Sequence, residues 1–410
     1  MITPSDSPYR YRALDAWRGL CACLVAFVHV PVAHAWQTAH TFHTMQLFVD
    51  FFFVLSGFVI CHAYGERLGI DRNWQGFMIR RFGRVYPLHL VVLAGFVALE
   101  LLKVLMGMVM PIQVDGVPFT GNRSIETLLS NLVLTQSFGL HGMTSWNGPA
   151  WSIGVEFYSY VVFAIVVLMM GRNSVGFAGL AALGLLVMAV ASPTWLFATH
   201  DYGFWRCLYG FFLGCLVCNA IDAPQIAPFV NRFAPVGTLI EYAAIVGLVG
   251  FIALTGENAS SLAAPLVFAG IVFVFAFERG AISRLLLTRP AQLLGFWSYS
   301  IYMVHTLIFA VLKIVMTLLA KVPALGISAP VSNPVKLWTL GSPVGDAVLV
   351  VVYLGLTLVV SKYTFDWVEA PARAWFATLA DRIGASMSGS FHLPGGVRER
   401  DLSGRVRRRI

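Results

Sequence analysis

Charge is what this sequence is short of. Only 12% of its 410 residues are Asp, Glu, Lys or Arg, whereas a soluble domain carries about 25%. So little charge cannot cover a water-facing surface of this size, which excludes an ordinary soluble globular protein. Cysteine is scarce too: Cys21, Cys23, Cys61, Cys207, Cys215 and Cys218 are all there are, each in or beside an apolar run. Cys215 and Cys218 form a CxxC with no second ligand pair to match it. That excludes a zinc-ribbon or disulfide scaffold and predicts no metal centre. No period of about 20–50 residues recurs, which excludes solenoids. The net charge of +8 is not a nucleic-acid footprint, because the basic residues lie between apolar runs and on no compact module.

Long apolar runs are what the sequence has instead. They predict an all-α integral membrane protein of about ten transmembrane helices. The runs lie near 14–35, 45–64, 85–110, 149–170, 175–192, 204–220, 237–255, 262–277, 292–318 and 346–365. The first twelve residues, segments 65–84 and 278–289 and the terminal RVRRRI are basic. The intervening segments 111–148 and 319–345 hold only Arg123, Lys321 and Lys336 as basic residues. With ten spans all the basic segments fall on one side, so both termini are expected in the cytoplasm. A cleaved leader ending at AHA (33–35) is the alternative for the N-terminus, but Asp15 and Arg18 interrupt its apolar core. Residues 1–370 are expected to form one transmembrane domain. Residues 371–410 are expected to form a cytoplasmic amphipathic and basic tail, with PARAWFATLADRIG as a membrane-surface helix and a disordered end.

Ionisable residues inside such runs are costly unless they face protein or water, which makes them functional candidates. In WRGLCACLVAFVHV (17–30), Arg18 and His29 are eleven residues apart. They therefore share a helix face, about 16 Å apart along the axis. Asp50, in the next span, sits at the depth of His29, where a carboxylate would fix a histidine's tautomer. Glu156 and His305 lie in the same outer half of spans four and nine. Arg80, Arg81 and Arg84 crowd the cytoplasmic end of span three, where the guanidinium fork suits phosphate and anionic lipid alike. Each residue also has a structural reading: snorkelling for Arg18, packing for His29, interhelical hydrogen bonding for the others. Together they predict a basic cytoplasmic mouth joined by span one to a His/Asp/Glu cluster nearer the outside. Such a conduit suits a long ligand with an anionic head and a reactive tail.

In order along the chain stand LDAWRG with His29, VDFFFVLSGFVI, RRFGRVYP, WSIGVEFY, FFLG, SYSIYMVH and VEAPAR. This series resembles the membrane-bound acyltransferase 3 family, whose members O-acylate polysaccharides, lipopolysaccharides, peptidoglycan and some macrolides. The resemblance implies a ten-helix core in the bacterial inner membrane, with no metal. It also implies acetyl-CoA or another acyl-CoA as donor and a glycan or glycolipid as acceptor. Arg18 and His29 would be the essential pair, with His29 as catalytic base and Asp50 and Glu156 in support. Arg80, Arg81 and Arg84 would join Arg18 in binding the donor, and Trp151, Tyr302 and His305 would bind the acceptor. Where many members carry two acidic residues, WSIGVEFY has one, leaving Glu156 as the only carboxylate there. Direct transfer and an acyl-histidine intermediate both fit this set. The resemblance also leaves open O-acylation of a macrolide-type small molecule, and the bare polar pattern fits a function of another class, proton-coupled secondary transport. The transporter reading lacks the repeated halves that usually accompany it.

Overall fold

In lipid every backbone polar group must find a partner within the protein, so an apolar run of this length becomes a helix. The computed structural model describes residues 11–30, 32, 40–109, 117–320, 327, 338–340 and 342–389. The AHA tripeptide, Lys321, Lys336, the first ten residues and the RVRRRI tail lie outside the described residues. The main helices are α1 (Arg12–Val28), α2 (Phe48–Asp71), α3 (Trp74–Val109), α4 (Ala150–Met170), α5 (Ser174–Val190) and α6 (Gly203–Ile221). They continue with α7 (Gly237–Leu254), α8 (Ala264–Ala276), α9 (Arg289–Leu319), α10 (Pro343–Thr364) and α11 (Ala370–Gly389). Each apolar run falls on one of α1–α10. The chain is an all-α, multi-pass membrane protein: among the described residues, eight helical stretches, containing α2–α4 and α6–α10, are long and apolar enough to cross. The helices α1 and α5 are shorter, with 17 residues each.

Two details differ from the sequence expectation. The first run was expected to stay helical to residue 35, yet α1 ends at Val28 and His29 is its cap. Pro31 explains this, since a proline bars the residue before it from the helical region. Next, α11 is not set apart from the bundle: α10 runs into it through a π-helical turn, Phe365–Glu369. The helix then packs antiparallel on the start of α3, with Arg80 on Asp381, Phe82 on Phe376 and Arg84 on Glu369.

Small residues set the closest helix approaches, as packing without a hydrophobic drive requires. A side chain at Gly19 would overlap the Leu294 backbone, and one at Gly295 the Asp15 carbonyl. Ten residues further along each helix, His29 meets His305. Residue numbers rise together, so α1 and α9 run parallel in one seam. The helices α2 and α6 are likewise parallel: Asp50 meets Arg206, and Gly57 and Gly214 lie on the partner backbone. Alternating crossings give both parallel pairs if α5, despite its length, also reverses the chain.

Candidate active site

Where the starts of α1, α3 and α9 meet α2, α4 and the α10–α11 junction, they enclose a cavity of about 760 Å³. Arg18, Arg80, Arg81, Arg84 and Arg373 line it, against two lining carboxylates, Asp15 and Glu156. The arginine-rich motif on α3 supplies three of the five because residues three and four apart share a helix face. Arg18 donates from Nε to Ser298 Oγ (2.8 Å) and from Nη2 to the Gly295 carbonyl (3.2 Å), tying α1 to α9. Glu369, fully buried on the π turn, accepts from Arg84 (3.0 Å) and Ser300 (2.9 Å) and lies 3.6 Å from Arg373. Arg81 donates to the Tyr64 hydroxyl at 3.1 Å, with its guanidinium over that ring. Its Nε is buried without a partner among the described residues. An unsatisfied buried donor is costly, and an anion in the cavity would satisfy it. The excess of arginine over carboxylate makes the chamber suited to a phosphate-bearing ligand.

At the other end of the same seam, the rings of His29 and His305 stand 4.9 Å apart, tilted by 59°. His29 Nδ1 lies 2.8 Å from the Val25 carbonyl, and His305 Nδ1 lies 3.2 Å from that of Ile301. A carbonyl can only accept, so in each ring Nδ1 carries the hydrogen and Nε2 keeps the lone pair. His305 Nε2 is buried with no partner among the described residues. Two imidazoles with the basic nitrogen uncommitted can take a proton from a hydroxyl, which is general-base chemistry. Tyr302 connects this pair to the cavity. It lines the cavity, its ring lies 6.0 Å from that of His305, and its hydroxyl is 2.8 Å from Ser152 Oγ.

The remaining expected site residues take other places. Asp50 makes no bond to His29; its two carboxylate oxygens accept from Arg206 Nε (2.9 Å) and Nη2 (2.7 Å). Both partners are buried. Trp151 packs on this pair, with the Arg206 guanidinium 5.1 Å above its ring. Glu156 faces the cavity, and its Oε1 accepts from Ser56 and Tyr160, both at 2.5 Å. The structure thus brings together Arg18 with Arg80, Arg81, Arg84 and Glu156 around one cavity, and His29 with His305 and Tyr302 beyond it. Asp50 and Trp151 belong to a separate buried cluster. Arg206, Glu369 and Arg373 were missed in sequence. Arg206 could have been found as a charge inside the apolar run GFWRCLYG, and Glu369 and Arg373 as the charges of VEAPAR.

A multi-pass helical bundle with an arginine-walled chamber and a histidine pair can hold an anionic ligand beside a proton acceptor. The chain belongs to the acyltransferase 3 family: residues 11–364 match its acyltransferase domain. It is therefore a membrane acyltransferase. The chain is 32% identical over 161 residues to "Protein 2 in picA locus" of Rhizobium radiobacter, covering 38% of this chain and 82% of that protein. It is 31% identical over 121 residues to "Acyltransferase MdmB" of Streptomyces mycarofaciens, covering 28% of this chain and 27% of the relative. No solved structure matches the chain.

Proposed function

We propose that this acyltransferase works in the bacterial inner membrane, moving an acetyl group from acetyl-CoA, or a related acyl group, to a hydroxyl of a cell-surface glycan or glycolipid. The observation that carries the reading is the α1–α9 seam. Arg18 stands in the arginine-walled cavity at one end, and His29 meets His305 at the other, about 16 Å further along α1. Coenzyme A has the same layout, with phosphates at one end of a flexible arm and the thioester at the other. With both termini in the cytoplasm, as the basic segments favour, the arginine cavity opens on the donor side.

The arginines would take the phosphates through charge-assisted hydrogen bonds, and the arm would run along the seam past Tyr302. His29 Nε2 takes the proton of the acceptor hydroxyl as its oxygen attacks the thioester carbonyl. The carbon–oxygen bond forms, the carbon–sulfur bond breaks, and the proton passes on to the departing thiolate. The experiment is mass analysis of surface glycans from cells with the wild-type protein, with His29→Gln and without either. The wild type should add one acetyl mass per acylated sugar, and His29→Gln should not. Full acylation by a membrane-inserted His29→Gln variant would overturn the assignment.

A further inference from the structure

Along α9, Tyr302 is the last residue to line the large cavity before His305, and it meets a serine there. Ser152, on the first turn of α4, lines the same wall. The two hydroxyl oxygens stand 2.8 Å apart, and each reaches the Pro149 carbonyl at 3.1 Å. The Tyr302 ring is held from two sides, 5.5 Å from Phe52 and 6.0 Å from His305, both in T-shaped contact. A hydroxyl on so fixed a ring is directed at one place, as a preorganised donor must be.

The hydrogen of Tyr302 is also free to change partner. Three donors converge on the Pro149 carbonyl: the Ser152 backbone N–H at 3.2 Å and the two hydroxyls. A carbonyl oxygen has two lone pairs, and Ser152 can fill both of them through its N–H and its O–H. The Tyr302 hydrogen can then turn to an acceptor in the cavity without leaving a buried group unsatisfied. Glu156, one turn further along α4, accepts from Ser56 and Tyr160. As a carboxylate it has no hydrogen to offer.

Transfer from a thioester calls for such a donor. As the acceptor oxygen attacks, the π pair of the thioester carbonyl moves onto the carbonyl oxygen and makes it an oxyanion. His29 takes the proton, and a separate donor has to meet this charge. Phe52, Phe53 and Ile153 line the cavity as apolar neighbours, and a hydrogen bond is stronger in such surroundings than in water.

We propose that Tyr302 is a catalytic residue of the transfer, its hydroxyl donating a hydrogen bond to the thioester carbonyl oxygen and stabilising the oxyanion. Ser152 covers the Pro149 carbonyl meanwhile. The hydrogen stays on Tyr302 throughout, and only its hydrogen bond changes. When the oxyanion collapses, the carbonyl bond re-forms and the carbon–sulfur pair leaves with sulfur. His29 returns its proton to that thiolate. The proposal rests on the acyltransferase reading above and adds the group that meets the transition-state charge. It moves Tyr302 from the acceptor to the donor's carbonyl.

The test compares Tyr302→Phe and Ser152→Ala with the wild type in membranes that carry the full chain and the cells' own glycans. Release of free coenzyme A from acetyl-CoA gives kcat, and titration of acetyl-CoA into the purified chain gives donor affinity. Tyr302→Phe keeps the ring and leaves Ser152 on the Pro149 carbonyl. It should hold the wild-type unfolding temperature and donor affinity while kcat falls about 10²–10³-fold, the value of one oxyanion donor. Ser152→Ala should lower kcat less, because the tyrosine hydrogen is still present. A purely structural role predicts the reverse split, with stability and donor affinity lost and kcat kept. Unfolding of Tyr302→Phe, wild-type kcat in it, a parallel loss of kcat and donor affinity, or a larger kcat loss in Ser152→Ala overturns the proposal. His29→Gln, run beside them, separates the two readings. If it is inactive while Tyr302→Phe keeps full kcat, only the oxyanion assignment fails. If it is fully active, the base assignment fails whatever Tyr302 does.

Discussion

His29 and His305 face each other with ring centroids 4.9 Å apart, each held by a hydrogen bond from Nδ1 to the carbonyl four residues earlier in its own helix. The helix backbone itself thus sets both tautomers and leaves both Nε2 atoms as bases. Asp50 spends both oxygens on Arg206, and Glu156 faces the arginine cavity with Oε1 on Ser56 and Tyr160, so the group packed on His29 is a second histidine. When His29 takes up a proton, His305, with its ring centroid 4.9 Å away and its Nε2 without a partner among the described residues, is placed to help share it.

This gives a graded expectation for the two residues. His29→Gln should lower acyl transfer by about 10²–10⁴-fold, the usual value of a general base. His305→Gln should lower kcat by less and leave the KM for acyl-CoA unchanged, because it acts through His29 and does not grip the donor. Release of free coenzyme A, followed with both variants in detergent, checks the order. Full kcat in His305→Gln would show that His29 works alone.

The Asp50–Arg206 pair should behave as structure. Both side chains are buried, and the geometry is bidentate. Asp50→Asn leaves a buried guanidinium uncompensated, a change that costs about 3–5 kcal/mol. The variant should therefore lose thermal stability and yield before any effect on chemistry is seen. The double change Asp50→Asn with Arg206→Met removes the stranded charge and should restore much of the unfolding temperature. An inactive double variant with wild-type stability would instead return Asp50 to the catalytic group.

How far the sequence reached can be judged residue by residue. The helices were legible because apolar runs in lipid have no other way to satisfy their backbones. The shared face of Arg18 and His29 follows from helical period, whereas the end of α1 was read too late, at residue 35, because hydropathy was followed past Pro31. The clustering of Arg80, Arg81 and Arg84 at one mouth follows from their spacing. Partner choice was not legible. Asp50 and Arg206 are separated by 156 positions, and His29 and His305 by 276. Both pairings depend on which helices lie parallel and in what register, which no local pattern encodes. Depth alone placed Asp50 beside His29, but two residues at one depth meet only if their helix faces do.

The seam that aligns the two histidines depends on Gly19 and Gly295. A Cβ at either would overlap backbone atoms of the other helix, which cannot move aside as a side chain can. Gly19→Ala should cost about 1–3 kcal/mol through overpacking. It should also push α1 from α9, loosening both Arg18 on Ser298 and His29 on His305, so kcat and donor affinity should fall together. Gly250→Ala on α7, where a Cβ meets open space, is the control and should leave stability and activity unchanged. Equal behaviour of the two variants would mean that the seam does not set the site.

Arg81 separates donor binding from fold. Arg80 and Arg84 are tied to Asp381 and Glu369, so replacing either disturbs the α3–α11 contact as well as the cavity. Among the described residues Arg81 donates only to the Tyr64 hydroxyl, at 3.1 Å, and its Nε is already unsatisfied. Arg81→Gln should therefore cost little stability. It should weaken acyl-CoA binding by about tenfold or more, the value of a hydrogen bond to a charged group. The loss should shrink as salt is raised, since screening weakens the wild-type contact too. The KM for acyl-CoA, measured against that for a truncated donor lacking the nucleotide phosphates, makes the comparison. A rise confined to the full-length donor is the expected result. An equal rise for both donors would place Arg81 away from the phosphates.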